Sequence, residues 1–207
     1  GQEKAEPQPP STPTQTPNLG VDAYFRLFSN ALKWIYDYGP RIAELTEYSR
    51  DVVVHGGPKT SNLDVRRKIL SRYEELAREG GLPANRIDSV NKTSSSWLAL
   101  VKNLYFALFA MIGMNHGRRP NEIGGNKPYG MYYGCLKQIS VEPNEHQIEF
   151  YVEKGPQDYR WFPANALVSD TVALLERLHL AMRHVDAPEV ASAGNAGVGR
   201  SRVAFRF

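Results

Sequence analysis

Two short segments carry the residue types that could bind a phosphate or take part in proton transfer. The first is the run 117–122, GRRPNE, which follows a long apolar stretch. An arginine held in place by its neighbours presents a planar fork of donors to two oxygens of one phosphate, so Arg119 is a candidate anion ligand. Pro120 is expected to open a helix at its first position. Glu122 would then lie one turn from Arg119, where it could orient the arginine or a nearby catalytic group.

The second segment is 153–163, EKGPQDYRWFP. Lys154 is expected at the end of a strand, at the mouth of a hairpin turn, where its ammonium group can extend over a groove. A lysine in that position could donate a proton to a leaving oxygen. Each segment also has a simpler interpretation. An arginine pair after a helix often complements the helix dipole, an exposed lysine often only favours solubility, and Glu122 could be a purely structural partner.

Several common catalytic and cofactor sites are excluded by their missing motifs. The sequence has no G-x-x-x-x-G-K-[ST] phosphate loop, no G-x-G-x-x-G run after a strand and no G-x-S-x-G elbow. No H-E-x-x-H or comparable metal-ligand spacing occurs among the five histidines, which are His55, His116, His146, His179 and His184. We therefore predict neither a metal site nor a cofactor.

The composition is that of an ordinary globular protein. Of the 207 residues, 42% are hydrophobic and 23% are charged, which excludes collagen-like, coiled-coil and wholly disordered chains. The single cysteine, Cys135, cannot form an intramolecular disulfide, so we expect a reducing compartment, the cytoplasm. The net charge of +3 is too small to identify a polyanion as the partner by itself. The apolar stretch 97–114 contains Lys102 and Asn103 and falls short of about 20 apolar residues, so we predict no membrane span.

Hydrophobic periodicity predicts the elements that must position the two segments. Residues 1–20 are polar and rich in proline, and we expect a disordered tail or linker. Apolar residues at three- and four-residue steps predict a helix from residue 21, stopped by Gly39-Pro40, a second helix over 41–54 and a third beginning with Asn62 as its cap and ending at Gly80-Gly81. The strongest pattern, 97–114, predicts a helix in the middle of the fold.

Beyond residue 117 the period changes to that of strands. Residues 131–141, 147–153 and 159–162 are predicted to form strands, with turns at Pro143-Asn144 and 155–158. Pro163 is expected to end the third strand, and Ser169 to cap a final helix. Because helices and strands do not alternate, the order favours a mainly α (α+β) fold, a helical bundle with a small antiparallel three-strand sheet.

The two segments together resemble a known family. The run GRRPNEI, in which Arg119 precedes Glu122 by three residues, resembles the first arginine motif of tyrosine recombinases of the phage-integrase type. Residues 154–163 resemble the hairpin of that family, in which a Lys-Gly turn precedes a basic residue and a strand ending in proline. The order of the motifs and their separation, from residue 119 to residue 154, also suit that family, and the resemblance covers about residues 95–180.

The resemblance implies a catalytic core that cuts and rejoins DNA through a phosphotyrosyl link. Arg119 would clamp the scissile phosphate, Lys154 would protonate the leaving 5′ oxygen, and Glu122 would hold the site in place. Three further basic residues are expected to contact DNA: Arg118, Lys137 and Arg160. Residues 21–90 would form a helical DNA-binding or connecting region, and residues 91–207 a partial integrase-like catalytic domain. The expected partner is double-stranded DNA, with a possible homo-oligomer on it and no membrane.

The chain departs from the family pattern in two places. The family needs a second arginine, usually in an H-x-x-R run, and a tyrosine nucleophile near the C-terminus. All eleven tyrosines lie at or before Tyr159, and His179 and Arg183 have a different spacing. We therefore expect a truncated fragment that forms no covalent DNA intermediate by itself. Two alternatives remain: a DNA-binding module on the same fold without chemistry, and a helical protein-interaction domain.

Overall fold

The computed structural model describes residues 20–55, 61–83, 93–125, 129–155 and 157–182, without the side chains of 93–95. The predicted tail 1–20 therefore lies outside the described residues except for its last position. The described chain is mainly helical, with one small antiparallel sheet, so the predicted α+β class is confirmed. Its helices are α1 (Val21–Leu32), α2 (Gly39–His55), α3 (Asn62–Arg78), α4 (Thr93–His116), α5 (Pro120–Gly124) and α6 (Ala166–Met182).

The predicted stop at Gly39-Pro40 is wrong, because the chain stays helical from α1 into α2. A π-helical segment, Lys33–Tyr38, joins the two helices. Proline cannot donate the usual helical hydrogen bond, and the π-helical segment ahead of Pro40 accommodates that loss without ending the helix. Gly39 has a packing role instead, since a Cβ there would lie 2.5 Å from Leu174 Cδ2 of α6.

Two predicted helix N-caps are wrong, and in each case an earlier residue takes the position. Ser61 rather than Asn62 caps α3, accepting a hydrogen bond from the Asp64 backbone N–H at 3.2 Å. Asn165 rather than Ser169 caps α6, because its Oδ1 accepts from the Val168 N–H at 2.9 Å. Both helices therefore begin earlier than the sequence pattern predicts, α6 at Ala166.

The sheet has the order β1-β2-β3, with β1 over Leu136–Ser140, β2 over Glu145–Val152 and β3 over Asp158–Ala164. The predicted first strand is too long at its start, because Gly134 has a φ of +84° that breaks the extended backbone. The predicted end at Pro163 is also wrong. Pro163 pairs with Gln147 and stays in β3, as proline can on an edge strand.

Helix α4 lies in the middle of the fold, as its all-round apolar pattern predicts. It contacts the other five helices, and Leu104, Leu108 and Met111 are fully buried. By length and composition, the segment Ser96–His116 would suffice to cross a membrane, but core helices pass the same test. One core cluster runs from Ala31 to Leu178 and includes residues from before and after residue 90. The division of the chain into two domains near residue 90 stays a prediction.

Candidate phosphate-binding site

The start of α5 is built as the sequence predicts. Arg119 takes the N-cap position in an extended conformation, and Pro120 is the first helical residue. The Glu122 carboxylate reaches back one turn, where its Oε2 accepts a hydrogen bond from the Arg119 backbone N–H at 3.2 Å. The Glu122 N–H in turn donates to the Arg119 carbonyl at 2.9 Å. This reciprocal pair fixes the backbone of Arg119 at the exit from α4.

The same carboxylate joins the two predicted segments. The other oxygen of Glu122, Oε1, accepts a hydrogen bond from the Glu153 backbone N–H at 3.0 Å. Glu153 follows the last residue of β2 and precedes Lys154, so a single side chain ties the start of α5 to the turn that carries the lysine. Glu122 is only 5% exposed, and a buried carboxylate needs such partners. Glu122 therefore links the backbone at Arg119 to the backbone at Glu153, and its role in a catalytic site stays a prediction.

Arg119 and Lys154 both face solvent beside this junction. The Arg119 side chain is 40% exposed, and its Nη1 lies 3.5 Å from Glu153 Oε2. Lys154 is exposed in the turn after β2. The Arg119 guanidinium is thus close to the Glu153 carboxylate, and Lys154 is the next residue along the turn. An anion that binds Arg119 must compete with that carboxylate.

Arg118 has a different environment from its neighbour. Its side chain is 17% exposed, and its guanidinium carbon lies 3.9 Å from the ring centre of Phe162 and 5.3 Å from that of Phe150. Its Nη1 is 3.9 Å from Glu122 Oε2, and its buried Nε has no hydrogen-bond partner within the described ranges. Arg118 is held mainly by cation–π stacking, which gives it a packing role beside its predicted DNA contact.

His116, at the end of α4, packs against Phe150, one of the two rings that contact Arg118. Its ring centre lies 5.2 Å from that of Phe150. Burial, and then the nearby charge of Arg118, lower the pKa of His116 below its usual value. The imidazole is therefore held in its neutral form to a lower pH than an exposed histidine, and it adds no positive charge to the junction at neutral pH.

The two remaining predicted DNA contacts lie on opposite faces of the sheet. Arg160 pairs with Phe150, so it shares the face that carries the aromatic rings under Arg118, and it is exposed. Lys137 pairs with Gln147, next to Ile148, and side chains alternate along a strand. Lys137 consequently belongs to the other face. The structure brings Arg118, Arg119, Glu122 and Lys154 together and leaves Lys137 apart.

Two structural features of the junction are not predicted by the sequence motifs. The motifs predict no role for Glu153, although an acidic residue directly before Lys154 indicates that the two charges offset each other. The aromatic support from Phe150 and Phe162 could not be found without the strand register that sets them side by side, with ring centres 6.1 Å apart.

Comparison with known proteins leaves the family open. No family model, no curated protein and no solved structure matches the chain. In the part of the chain that the structure describes, no group of three or more His, Cys, Asp or Glu side chains is arranged to hold a metal ion.

Proposed function

We propose that this chain binds double-stranded DNA through the junction of α5 with the turn after β2, as the DNA-binding part of a strand-exchange enzyme of the tyrosine-recombinase type. The observation that carries the proposal is the Glu122 carboxylate, which bonds to the backbone at both Arg119 and Glu153. It brings together the two motifs on which the resemblance rests. The proposed location is the cytoplasm.

The proposed roles are those that the resemblance implies, and the fixed backbone of Arg119 supports its role. Arg119, exposed at a fixed backbone position, would donate to two oxygens of a phosphodiester. Lys154 would lie on the leaving-oxygen side and hold a proton for transfer. Glu122, buried and bonded to two backbone N–H groups, would act as a positioning residue. No tyrosine follows Tyr159 in this chain, so the activity to measure is binding rather than strand cleavage.

The test is the binding of a labelled duplex, followed by fluorescence anisotropy at about 50 and 200 mM salt. Arg119→Ala is expected to weaken binding about tenfold, because a charge-assisted contact to a phosphate is lost. The slope of log affinity against log salt should fall by about 0.9, the share of one phosphate contact.

The matched control is Arg67→Ala on α3. Arg67 is also exposed and lies 3.5 Å from a carboxylate, that of Asp64, so this variant removes the same charge in a similar setting. It should bind DNA nearly as well as the unchanged chain. Equal losses from the two variants would leave only a non-specific charge effect and would contradict the proposal, as would binding that does not respond to salt.

A second candidate function, protein interaction, is favoured by the apolar surface of α1. Val21 is 70% exposed and Phe25 is 59% exposed, while Phe106 on the adjoining helix α4 is 73% exposed. Val21 and Phe25 lie one helical turn apart on α1, and exposed apolar side chains that adjoin in this way are typical of interfaces. Light scattering of the purified chain tests self-association: a dimer that Phe25→Glu converts to monomer supports this function, and a monomer at all concentrations contradicts its homo-oligomeric form.

A further inference from the structure

A second candidate site lies between four helices and shares no residue with the Arg119 junction. It is a cavity of about 440 Å³ enclosed by α2, α3, the start of α4 and the end of α6. Its size is within the range of small-molecule sites, roughly 300 to 1,000 Å³. Most of its wall is apolar, as shown by Val53, Val65, Ile69, Trp97 and Met182.

The charge on the wall has one sign. Arg50 and Arg66 line the cavity, and no Asp or Glu is among its described lining residues. Arg50 is bonded to Asp51, through Nε at 2.9 Å and Nη2 at 2.8 Å. Arg66 is half-buried and makes no ion pair or hydrogen bond to any other described residue. A half-buried guanidinium beside an apolar wall favours an anionic group at that point.

Some polar side chains of the wall already have hydrogen-bond partners, and one does not. The hydroxyls of Thr46 and Ser49 each donate at 2.6 Å to a carbonyl of their own helix, those of Ile42 and Leu45. The indole Nε1 of Trp97 is buried and has no acceptor within the described ranges. A ligand that enters the cavity would change the surroundings of this indole N–H, which makes it a probe of binding.

We propose that this cavity binds a small amphipathic carboxylate, with its alkyl chain against Ile69, Trp97 and Met182 and its carboxylate at Arg66. The apolar wall would hold the alkyl chain of the ligand, and the unpaired guanidinium of Arg66 would bind its carboxylate. The site is independent of DNA binding, so it stands or falls separately from the function proposed above.

The experiment is a titration of the full chain with decanoate, followed by the indole N–H resonances in proton–nitrogen correlation spectra. The chain has three tryptophans, and Trp97→Phe assigns the resonance of Trp97. We expect decanoate to shift that resonance in a saturable way. Decanol, which has the same alkyl chain without the charge, and acetate, which has the charge without the chain, should each bind at least about tenfold more weakly.

Arg66→Gln tests the charged contact, with Arg67→Gln as its matched control. Arg67 is the next residue on α3 but is paired with Asp64 and does not line the cavity. Arg66→Gln should weaken decanoate binding about tenfold, and Arg67→Gln should leave it unchanged. Thermal unfolding of both variants checks that each is folded.

Three outcomes would overturn the proposal. The first is no shift of the Trp97 resonance at millimolar decanoate. The second is equal binding of decanoate and decanol, or equal losses from the two arginine variants. The third is a set of contacts to the Trp97 indole in the free protein that assigns the cavity to another part of the same chain.

Discussion

The two ends of the three-stranded sheet are built differently. At one end, the buried Glu122 carboxylate bonds to the backbone on both sides and so links the turn after β2 to α5, and the Arg118 guanidinium lies 3.9 Å from that carboxylate. At the other end, the turn between β1 and β2 is joined by a surface contact, in which Gln138 Nε2 donates to Asn144 Oδ1 at 2.8 Å. The two ends therefore differ in how their basic residues are held. The backbone of Arg119 is fixed by Glu122, whereas Lys137 is an exposed residue of β1 near the second end.

Removing the anchor should have the largest effect. Glu122→Ala deletes the acceptor for two backbone N–H groups in a buried place, and we expect a loss of about 2–3 kcal/mol in the free energy of unfolding. Glu122→Gln keeps one acceptor oxygen and should lose less. Denaturant unfolding measures both.

The control for this variant lies at the other end of the sheet. Glu145→Ala removes an exposed carboxylate at the start of β2, and it should change stability by no more than about 0.5 kcal/mol. If Glu122→Ala changed the free energy of unfolding as little as Glu145→Ala, the prediction that Glu122 anchors its end of the sheet would be wrong.

How much of this junction the sequence predicts depends on the chain distance of each contact. The start of α5 is local: the sequence predicts that Pro120 opens a helix, with Glu122 one turn from Arg119, and that prediction is confirmed. The cap formed by Glu122 is a further feature that the structure adds. The bond from Glu153 to Glu122 joins residues 31 positions apart and requires the folded arrangement of β2 and α5. The resemblance placed the two motifs in one site; the bond that joins them could not be read from their patterns.

The helical bundle follows the same rule. Apolar periodicity predicts α3, α4 and α6 because each presents a stripe or a full surface to the core. It also predicts α1, although much of the apolar face of that helix is exposed and only Ala31 is buried. The passage through Gly39-Pro40 could not be predicted, because local rules favour a stop there. Packing decides otherwise, with Gly39 close against Leu174 of α6.

Arg118 offers the second way to test the anchored end. Arg118→Ala removes a guanidinium stacked on Phe162 and Phe150, and we expect a loss of about 1–2 kcal/mol in stability. Arg118→Met keeps much of the packing and should recover part of that loss. If the alanine variant were fully stable yet bound DNA poorly, Arg118 would act on DNA rather than on the fold.

Glu153 should limit anion binding at Arg119. Glu153→Gln removes the carboxylate that lies 3.5 Å from the Arg119 guanidinium and should tighten DNA binding about fivefold at low salt. Glu145→Gln changes the net charge equally but at the other end of the sheet, and it should have a smaller effect. Anisotropy titrations measure the DNA affinity of both variants. Equal gains in affinity would show that only the net charge matters and would contradict the prediction.

The smallest expected effects compare one lysine from each end. Lys154→Ala should weaken DNA binding about threefold, because an exposed cation beside Arg119 is lost, while Lys137→Ala should leave the affinity within about twofold. Both variants remove one positive charge, so a purely non-specific attraction would make the two losses equal. A larger loss from Lys137→Ala would instead place the DNA on the opposite face of the sheet and separate it from the Arg119 junction. The ratio of the two affinities, measured at one salt concentration, therefore decides which end of the sheet faces the DNA.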